Sequence, residues 1–397
     1  MSAQASRVPW IRIDRGELAG AFGDIGTDVP LLVALVTTCG LDPAGVCVTF
    51  GLLQIATGLA YGIPMPVQPL KAMAAIMLAE RLSAGTLAGG GLVVGASMLL
   101  LSLTGLLDGL ARVVPREVVR GIQLGLGLTL AWLAFRKYVV AEGAGGLLLA
   151  AACALLLLAL RKQHRVPGPL VVVTLGFAWA VATGLDPRAL SQGAGLRLPT
   201  LVVPTAEEIG RGALLLALPQ LPLSLANSVL ATSQTSRDLF PERAASVRKI
   251  GVTYGLMNLI APIFGGVPAC HGCGGLAGFH GFGARTGGAP VIYGALYLLL
   301  GLAFAPVFGD AVRAFPMPVL GVILAFEAAR LARLARDLAS EPRALAVAAA
   351  VAGAVVLMPY GYVVGLAGGV LLARALRRRC EDAPASLRDL PGPEVPP

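Results

Sequence analysis

Charge is what this chain has least of: 13% of its 397 residues are Asp, Glu, Lys or Arg, and runs such as Gly145–Leu160 and Ala344–Leu357 carry none. Water-soluble domains carry about a quarter charged residues, so that class is excluded and a lipid bilayer becomes the main solvent. The formal charge of +9 does not make a nucleic-acid binder, because Lys and Arg sit in short clusters between apolar runs and build no basic face. Cys39, Cys47, Cys153, Cys270, Cys273 and Cys380 lie mostly inside apolar runs, which argues against a secreted disulfide framework. Residues 1–15 lack an apolar core followed by a small-residue cleavage site, so no removable signal peptide is expected.

What the chain has in abundance is apolar length, with 56% hydrophobic residues and a mean hydropathy of +0.79. A window of about 20 residues predicts spans at 17–39, 43–62, 66–81, 85–107, 114–136, 143–161, 168–185, 210–233, 245–264, 268–281, 287–306, 316–336, 342–358 and 361–378. The result is an all-α polytopic membrane protein of about fourteen spans. Spans 66–81 and 268–281 are too short to cross a hydrocarbon core of about 30 Å, and each follows a Gly/Pro-broken segment, YGIPMPVQP and FGGVPACHG.

Basic residues alternate from loop to loop, as an even number of spans with both termini cytoplasmic requires. The expected inside segments hold Arg7, Arg12 and Arg15; Arg112, Arg116 and Arg120; Arg161, Lys162 and Arg165; Arg237, Arg243, Arg248 and Lys249; Arg330, Arg333, Arg336 and Arg343; and Arg374 with Arg377–Arg379. Outside loops hold fewer, chiefly Arg136, Lys137, Arg188, Arg197, Arg211 and Arg313. The short spans are third and tenth, so spans 1–7 and 8–14 read as one unit repeated. Because seven is odd, the second copy is inverted, the plan of secondary transporters whose sites lie between broken helices.

A helix that starts at mid-membrane leaves its first N–H groups without intrahelical partners and presents about half a positive charge. Two such ends facing each other make an anion site without requiring a buried Lys or Arg. Gln68 and Lys71 flank the first; Ala269, Cys270, His271, Gly272 and Gly274–Gly275 flank the second. Gln68 adds an amide donor suited to an oxyanion that only accepts hydrogen bonds, or else satisfies a carbonyl freed by Pro66. Thr27, Gln220, Ser224, Asn227 and Ser228 complete the expected pocket. Asp24 and Asp28 share a helix face and are candidates for proton coupling, with a purely structural role for Asp24 as the alternative.

Cys270-His271-Gly272-Cys273 supplies three metal donors where a closed structural zinc site needs four, so no metal is expected. His271 is adjacent in sequence to Cys270 and lies on a different helix face, which argues against an activated-thiol enzyme. His271 then donates to a ligand, orders its loop, or titrates during transport. No cofactor and no enzymatic activity are expected.

Four segments carry a family resemblance: GDIGTDVPLL at 23–32, PMPVQPLKAMAA at 64–75, LPQLPLSLANSVLA at 218–231 followed by DLFP at 238–241, and FGGVPACHGCGGLAGFHGFGART at 264–286. Through them the chain resembles the molybdate-transporter branch of the sulfate permease superfamily over nearly its whole length. The resemblance implies a 7+7 inverted repeat with half-helices at spans 3 and 10. It divides the chain into a cytoplasmic N-terminus (1–16), a core domain (17–107, 210–285 and 287–306), a gate domain (114–185 and 316–378) and a disordered cytoplasmic tail (379–397) with no STAS domain. It also implies high-affinity uptake of molybdate, and the expectation is an elevator-type, proton-coupled symporter in the cell inner (plasma) membrane, with gate-domain dimers common in related folds. A sulfate or tungstate transporter of the same fold, or an uncoupled anion channel, stays open. Asn227 stands where many sulfate permeases carry a Glu implicated in proton coupling, so that coupling does not carry over. Asp28 and Cys273 occupy positions expected to be uncharged and small, respectively.

Overall fold

The computed structural model describes residues 9–107, 114–160, 168–186, 188 and 194–381. Arg7, Arg112, Arg161, Lys162, His164, Arg165 and the tail beyond Glu381 lie outside the described residues, as do the side chains of Arg313, Arg378, Arg379 and Cys380.

Helices begin where short polar side chains take up the orphan N–H groups of a first turn. Asp14 accepts from Gly16 and Glu17 to start α1 (Arg15–Ala21), and after a 44° bend the chain continues as α2 (Ile25–Cys39). Asp42 accepts from Ala44 and Gly45 at the head of α3 (Pro43–Tyr61), and Gly62, at φ 62°, ends it in the left-handed conformation. The chain then passes through β1 (Gln68–Pro69) into the short α4 (Lys71–Glu80), and Ser83 caps α5 (Ala84–Thr104). α6 (Arg116–Leu133) runs into a π-helical stretch at Ala134–Val139, followed by α7 (Gly143–Leu160) and α8 (Gly168–Ala182).

The second half opens on an irregular rod of α9 (Ala206–Gly212), α10 (Leu218–Leu223) and α11 (Ala231–Leu239), joined by π-helical segments at Ala213–Ala217 and Ser224–Leu230. Pro219 and Pro222 disturb this stretch, since neither has an N–H and each ring crowds the carbonyl four residues back. Ser246 caps α12 (Val247–Ile260). After β2 (Ala269–Cys270) come the short α13 (Cys273–Gly281), α14 (Gly288–Ala303), α15 (Ala305–Ala314), α16 (Met317–Arg333), α17 (Pro342–Leu357) and α18 (Gly361–Glu381).

Four differences from the sequence expectation stand out. Span 17–39 is two helices, span 210–233 extends over residues 206–239, α15 occupies a stretch expected as a loop, and α18 continues three residues past 378. Among the described residues four helices are long and apolar enough to cross a membrane (Pro43–Tyr61, Ala84–Thr104, Arg116–Val139 and Gly143–Leu160), or six if two bent pairs each count as one span.

The helices pack in two groups. In one, α3 lies along α14 and α5 along α12; in the other, α6 packs on α16 and α17, α7 on α16, and α17 on α18. α3 and α14 meet almost backbone to backbone: a Cβ on Gly58 would come 2.5 Å from the Gly287 carbonyl, and one on Gly294 would come 2.5 Å from that of Gly51. Small residues permit that approach where lipid supplies no hydrophobic drive for helix association. α2 and α4 bridge the groups, α2 touching α8 and α16, and α4 touching α6.

Candidate functional site

The two Gly/Pro-broken segments meet as an antiparallel pair, Gln68 opposite Cys270 and Pro69 opposite Ala269, extended by the Leu70 N–H donating to Pro268 O at 2.9 Å. Extended backbone at this depth needs polar partners from neighbouring helices. Gln54 of α3 supplies them to one strand, its Nε2 donating to Val67 O (2.9 Å) and its Oε1 accepting from Val67 N (3.3 Å). Asn258 of α12 does the same for the other, with Nδ2 to Ala269 O at 2.6 Å and Ala269 N to Oδ1 at 2.9 Å. Neither amide was singled out from sequence. The available signal was a lone amide in each of the two helices.

Each strand leads into a short helix that begins three residues after the paired position, α4 at Lys71 and α13 at Cys273. At 10 and 9 residues these helices span about 15 and 13 Å. Their N-cap positions, Leu70 and Gly272, carry no side-chain cap. First-turn N–H groups and the positive helix ends are therefore directed at the strand pair. One N–H of α4 is met from across the site: Met73 N donates to Gln220 Oε1 at 3.3 Å. Gln220 Nε2 donates to Ser224 Oγ at 3.1 Å, and Ser224 contacts the Tyr254 hydroxyl at 2.5 Å.

A cavity of about 30 Å³ sits beside the strand pair and the start of α4, lined by Gln68, Lys71, Ala72, Gln220, Leu223, Asn227, Ser228 and Cys270, and on the opposite side by Gln123, Leu126 and Leu331. That volume holds about one water. A tetrahedral oxyanion therefore requires side-chain movement or the adjoining space. Gln123 and Asn227 also line a second cavity of about 350 Å³ that reaches Arg116, Arg120 and Cys273.

Gln68 Nε2 donates to Asp24 Oδ2, and the amide packs against Gly272 and Gly275. A Cβ at Gly275 would come within 2.9 Å of both Gln68 Nε2 and Pro66 Cβ, so glycine is what admits the Gln68–Asp24 pair. Asp24 and Asp28 are both buried, and together with Lys71 they lie within electrostatic reach of Cys270.

Of the other residues expected to bind, Thr27 is buried off the cavity wall, and its hydroxyl has no hydrogen-bond partner among the described residues. The Ala269 N–H is taken by Asn258. His271 is the clearest revision: its Nδ1 donates to Pro66 O at 2.9 Å and its Nε2 accepts from Thr253 Oγ1 at 2.8 Å. Both ring nitrogens thus lock one loop to the other, and the side chain does not line the cavity. Loop ordering is the role, of the three left open, that this geometry supports. Cys273 Sγ lies 3.6 Å from Asn227 Oδ1 while Cys270 is on the smaller cavity, so the Cys and His side chains of the motif diverge. Gly274 adjoins Arg330 of α16, whose Nη2 would be 3.3 Å from a Cβ there.

Glu17 was also unforeseen. Its buried carboxylate accepts from the N–H groups of Arg285 (3.0 Å), Thr286 (2.9 Å) and Ala289 (3.0 Å) and from the Thr286 hydroxyl (2.9 Å), tying α1 to the start of α14.

This architecture is that of a polytopic helical membrane protein. The chain aligns with Solute Carrier 26 family member A9 (TM-score 0.66, 15% identity, 91% of this chain and 65% of that one) and with the mouse A9 anion transporter in the inward-facing state (TM-score 0.69, 15% identity, 94% and 70%). It also aligns with the transmembrane domain of the cyanobacterial bicarbonate transporter BicA (TM-score 0.63, 19% identity, 90% and 97%). The chain belongs to the molybdate transporter family: the model described as "Molybdate transporter of MFS superfamily" matches residues 16–130 and 212–331. It is 33% identical to Molybdate transporter 1 of Arabidopsis thaliana over 81% of this chain and 80% of the relative. It is likewise 33% identical to Molybdate transporter 2 of that plant, over 92% and 88%. These relatives are membrane transporters, not enzymes.

Proposed function

We propose that the chain imports molybdate across the cell's inner membrane by secondary active transport. The observation that carries this reading is the Gln68–Cys270 strand pair, which brings two uncapped helix N-termini together beside a small cavity lined by four amide side chains and Ser228. Preorganised N–H donors around a fully deprotonated tetrahedral anion need no proton on the ligand. The names of the plant relatives support molybdate within that chemical class.

The reading includes fourteen spans as a 7+7 inverted repeat, with α4 and α13 as its half-helices. Two reciprocal features support it: α3 on α14 is matched by α12 on α5, and α6 on α17 by α16 on α7. Gln54 and Asn258 likewise clamp the residues immediately before Gln68 and Cys270. The first packing group (17–107, 210–285 and 287–306) is then a core that carries the anion past a gate (114–185 and 316–378). The gate is also the surface that a homodimer would use. The 350 Å³ cavity, running to the arginines assigned to the cytoplasmic side, supports an inward-open state.

Asp24 accepts a hydrogen bond from Gln68, so its protonation would redirect the ligand-facing amide. This makes Asp24 the leading group for proton coupling, with Asp28 one turn further along α2. Proteoliposome uptake tests the reading. Concentrative molybdate accumulation is expected under an inward proton gradient, with tungstate competing more effectively than sulfate or phosphate, and Asp24→Asn is expected to remove the gradient's stimulation. Conduction without accumulation would favour an anion channel, and equal competition by sulfate would widen the substrate class.

A further inference from the structure

Gln123 is a polar side chain on the far wall of the cavity, contributed by α6 of the second packing group, whereas Gln68, Lys71, Gln220, Asn227 and Ser228 belong to segments assigned to the proposed core. It is 2% exposed and lines both the 30 Å³ cavity and the 350 Å³ cavity beyond it. Its orientation is dictated by chemistry. Arg120 Nη1 donates to Gln123 Oε1 at 2.9 Å, and a guanidinium has five donors and no acceptor, so the amide oxygen must face Arg120. Arg120 is itself anchored on the Asp337 carboxylate through Nε at 2.9 Å and Nη2 at 2.6 Å. Arg116 adds a third contact to the same carboxylate oxygen at 3.1 Å. Burial raises the Asp337 pKa, but hydrogen bonds from Arg120 and Arg116 outweigh it and hold the group below its ordinary value, so it stays ionised as pH falls from neutral through the mildly acidic range.

With its oxygen held by Arg120, Gln123 keeps its Nε2 hydrogens for a ligand in the cavity that it lines. We infer that Gln123 is a gate-side donor to the bound oxyanion that acts only while the core is seated inward, with Arg120 and Asp337 as its positioning residues. This rests on the assignment of the cavity as the anion site. If the core moves and the gate does not, the core donors travel with the ligand and Gln123 stays behind. The anion is then held more tightly on the cytoplasmic side than on the outer side, by one charge-assisted hydrogen bond.

The test is molybdate half-saturation measured separately from each face, in right-side-out and inside-out vesicles, for wild type, Gln123→Ala, Arg120→Lys and Gln68→Ala. Gln123→Ala is expected to raise the cytoplasmic-side value by about tenfold or more and leave the outer-side value unchanged. Arg120→Lys, which cannot reproduce the fork to Asp337 and Gln123 together, is expected to shift the same side in the same direction. Gln68→Ala is expected to raise both values. An equal rise on both faces for Gln123→Ala, or no rise on the cytoplasmic face while Gln68→Ala still weakens binding, would overturn the inference. If Gln68→Ala also leaves both faces unchanged, the site assignment itself fails. Equal thermal melting of the detergent-purified variants guards against a folding artefact.

Discussion

Gln68→Ala is expected to weaken molybdate binding by about 10- to 100-fold and to bring uptake at micromolar substrate close to background. A hydrogen bond to a charged group contributes about 1.5–3 kcal/mol, and that range sets the size of the effect. Two consequences act together. The ligand loses an amide donor at the edge of the α4 terminus, and Asp24 loses the donor that now bonds its Oδ2. A carboxylate with one fewer donor, close to a dianion, adds repulsion to the lost bond. Gln68→Glu sharpens the expectation: it preserves volume, sets a second carboxylate beside Asp24 and should abolish binding. Isothermal titration with molybdate checks both variants, and unchanged affinity in Gln68→Ala would remove the site from this cavity.

The second large effect concerns the scaffold. Glu17→Ala is expected to lower the melting temperature in detergent by about 4–11 °C, or to prevent recovery of folded protein. Glu17 is 2% exposed and accepts four hydrogen bonds, three from backbone N–H groups at 285, 286 and 289. Leaving a buried donor unmade costs about 1–3 kcal/mol. Three of them give a loss at or above the upper end of ordinary point mutations, about 0.5–3 kcal/mol. Ala289 lies in the first turn of α14, so the carboxylate also complements that helix's positive end. Glu17→Gln keeps the shape but turns a donor toward donors, so an intermediate loss is expected. A melting temperature within a degree or two of wild type for Glu17→Ala would show that water replaces the carboxylate, against the packing described here.

Most of the helical plan was legible because apolar runs are punctuated by residues with strong backbone preferences. Asp42-Pro43 starts α3, Gly62 ends it, and Ser83 and Ser246 start α5 and α12. The two short helices announced themselves through Pro66, Pro69 and Pro268. What sequence could not supply was the identity of each side chain's partner. His271 sits in a Cys/His motif that reads as chemistry, yet its nitrogens are used at Pro66 and Thr253, contacts set by how two distant loops cross. Gln123, in the run REVVRGIQLGLG, looked like any interior amide until α6 was packed against α4 and α16. Glu17 gave no signal in the sequence, because its partners lie some 270 positions away. The π-helical segments around Pro219 and Pro222 resisted prediction for a related reason: whether a proline kinks, widens or breaks a helix depends on which neighbours satisfy the freed carbonyls.

The position of the bound oxyanion decides between the site at the strand pair and any other. Tungstate shares molybdate's geometry and charge and scatters strongly, so a structure of the protein with bound tungstate tests this most directly. The expected result is a single tetrahedral density between the N-termini of α4 and α13, within hydrogen-bonding distance of Gln68 and near Ser228. Density elsewhere, or an empty cavity at concentrations that saturate transport, would contradict it.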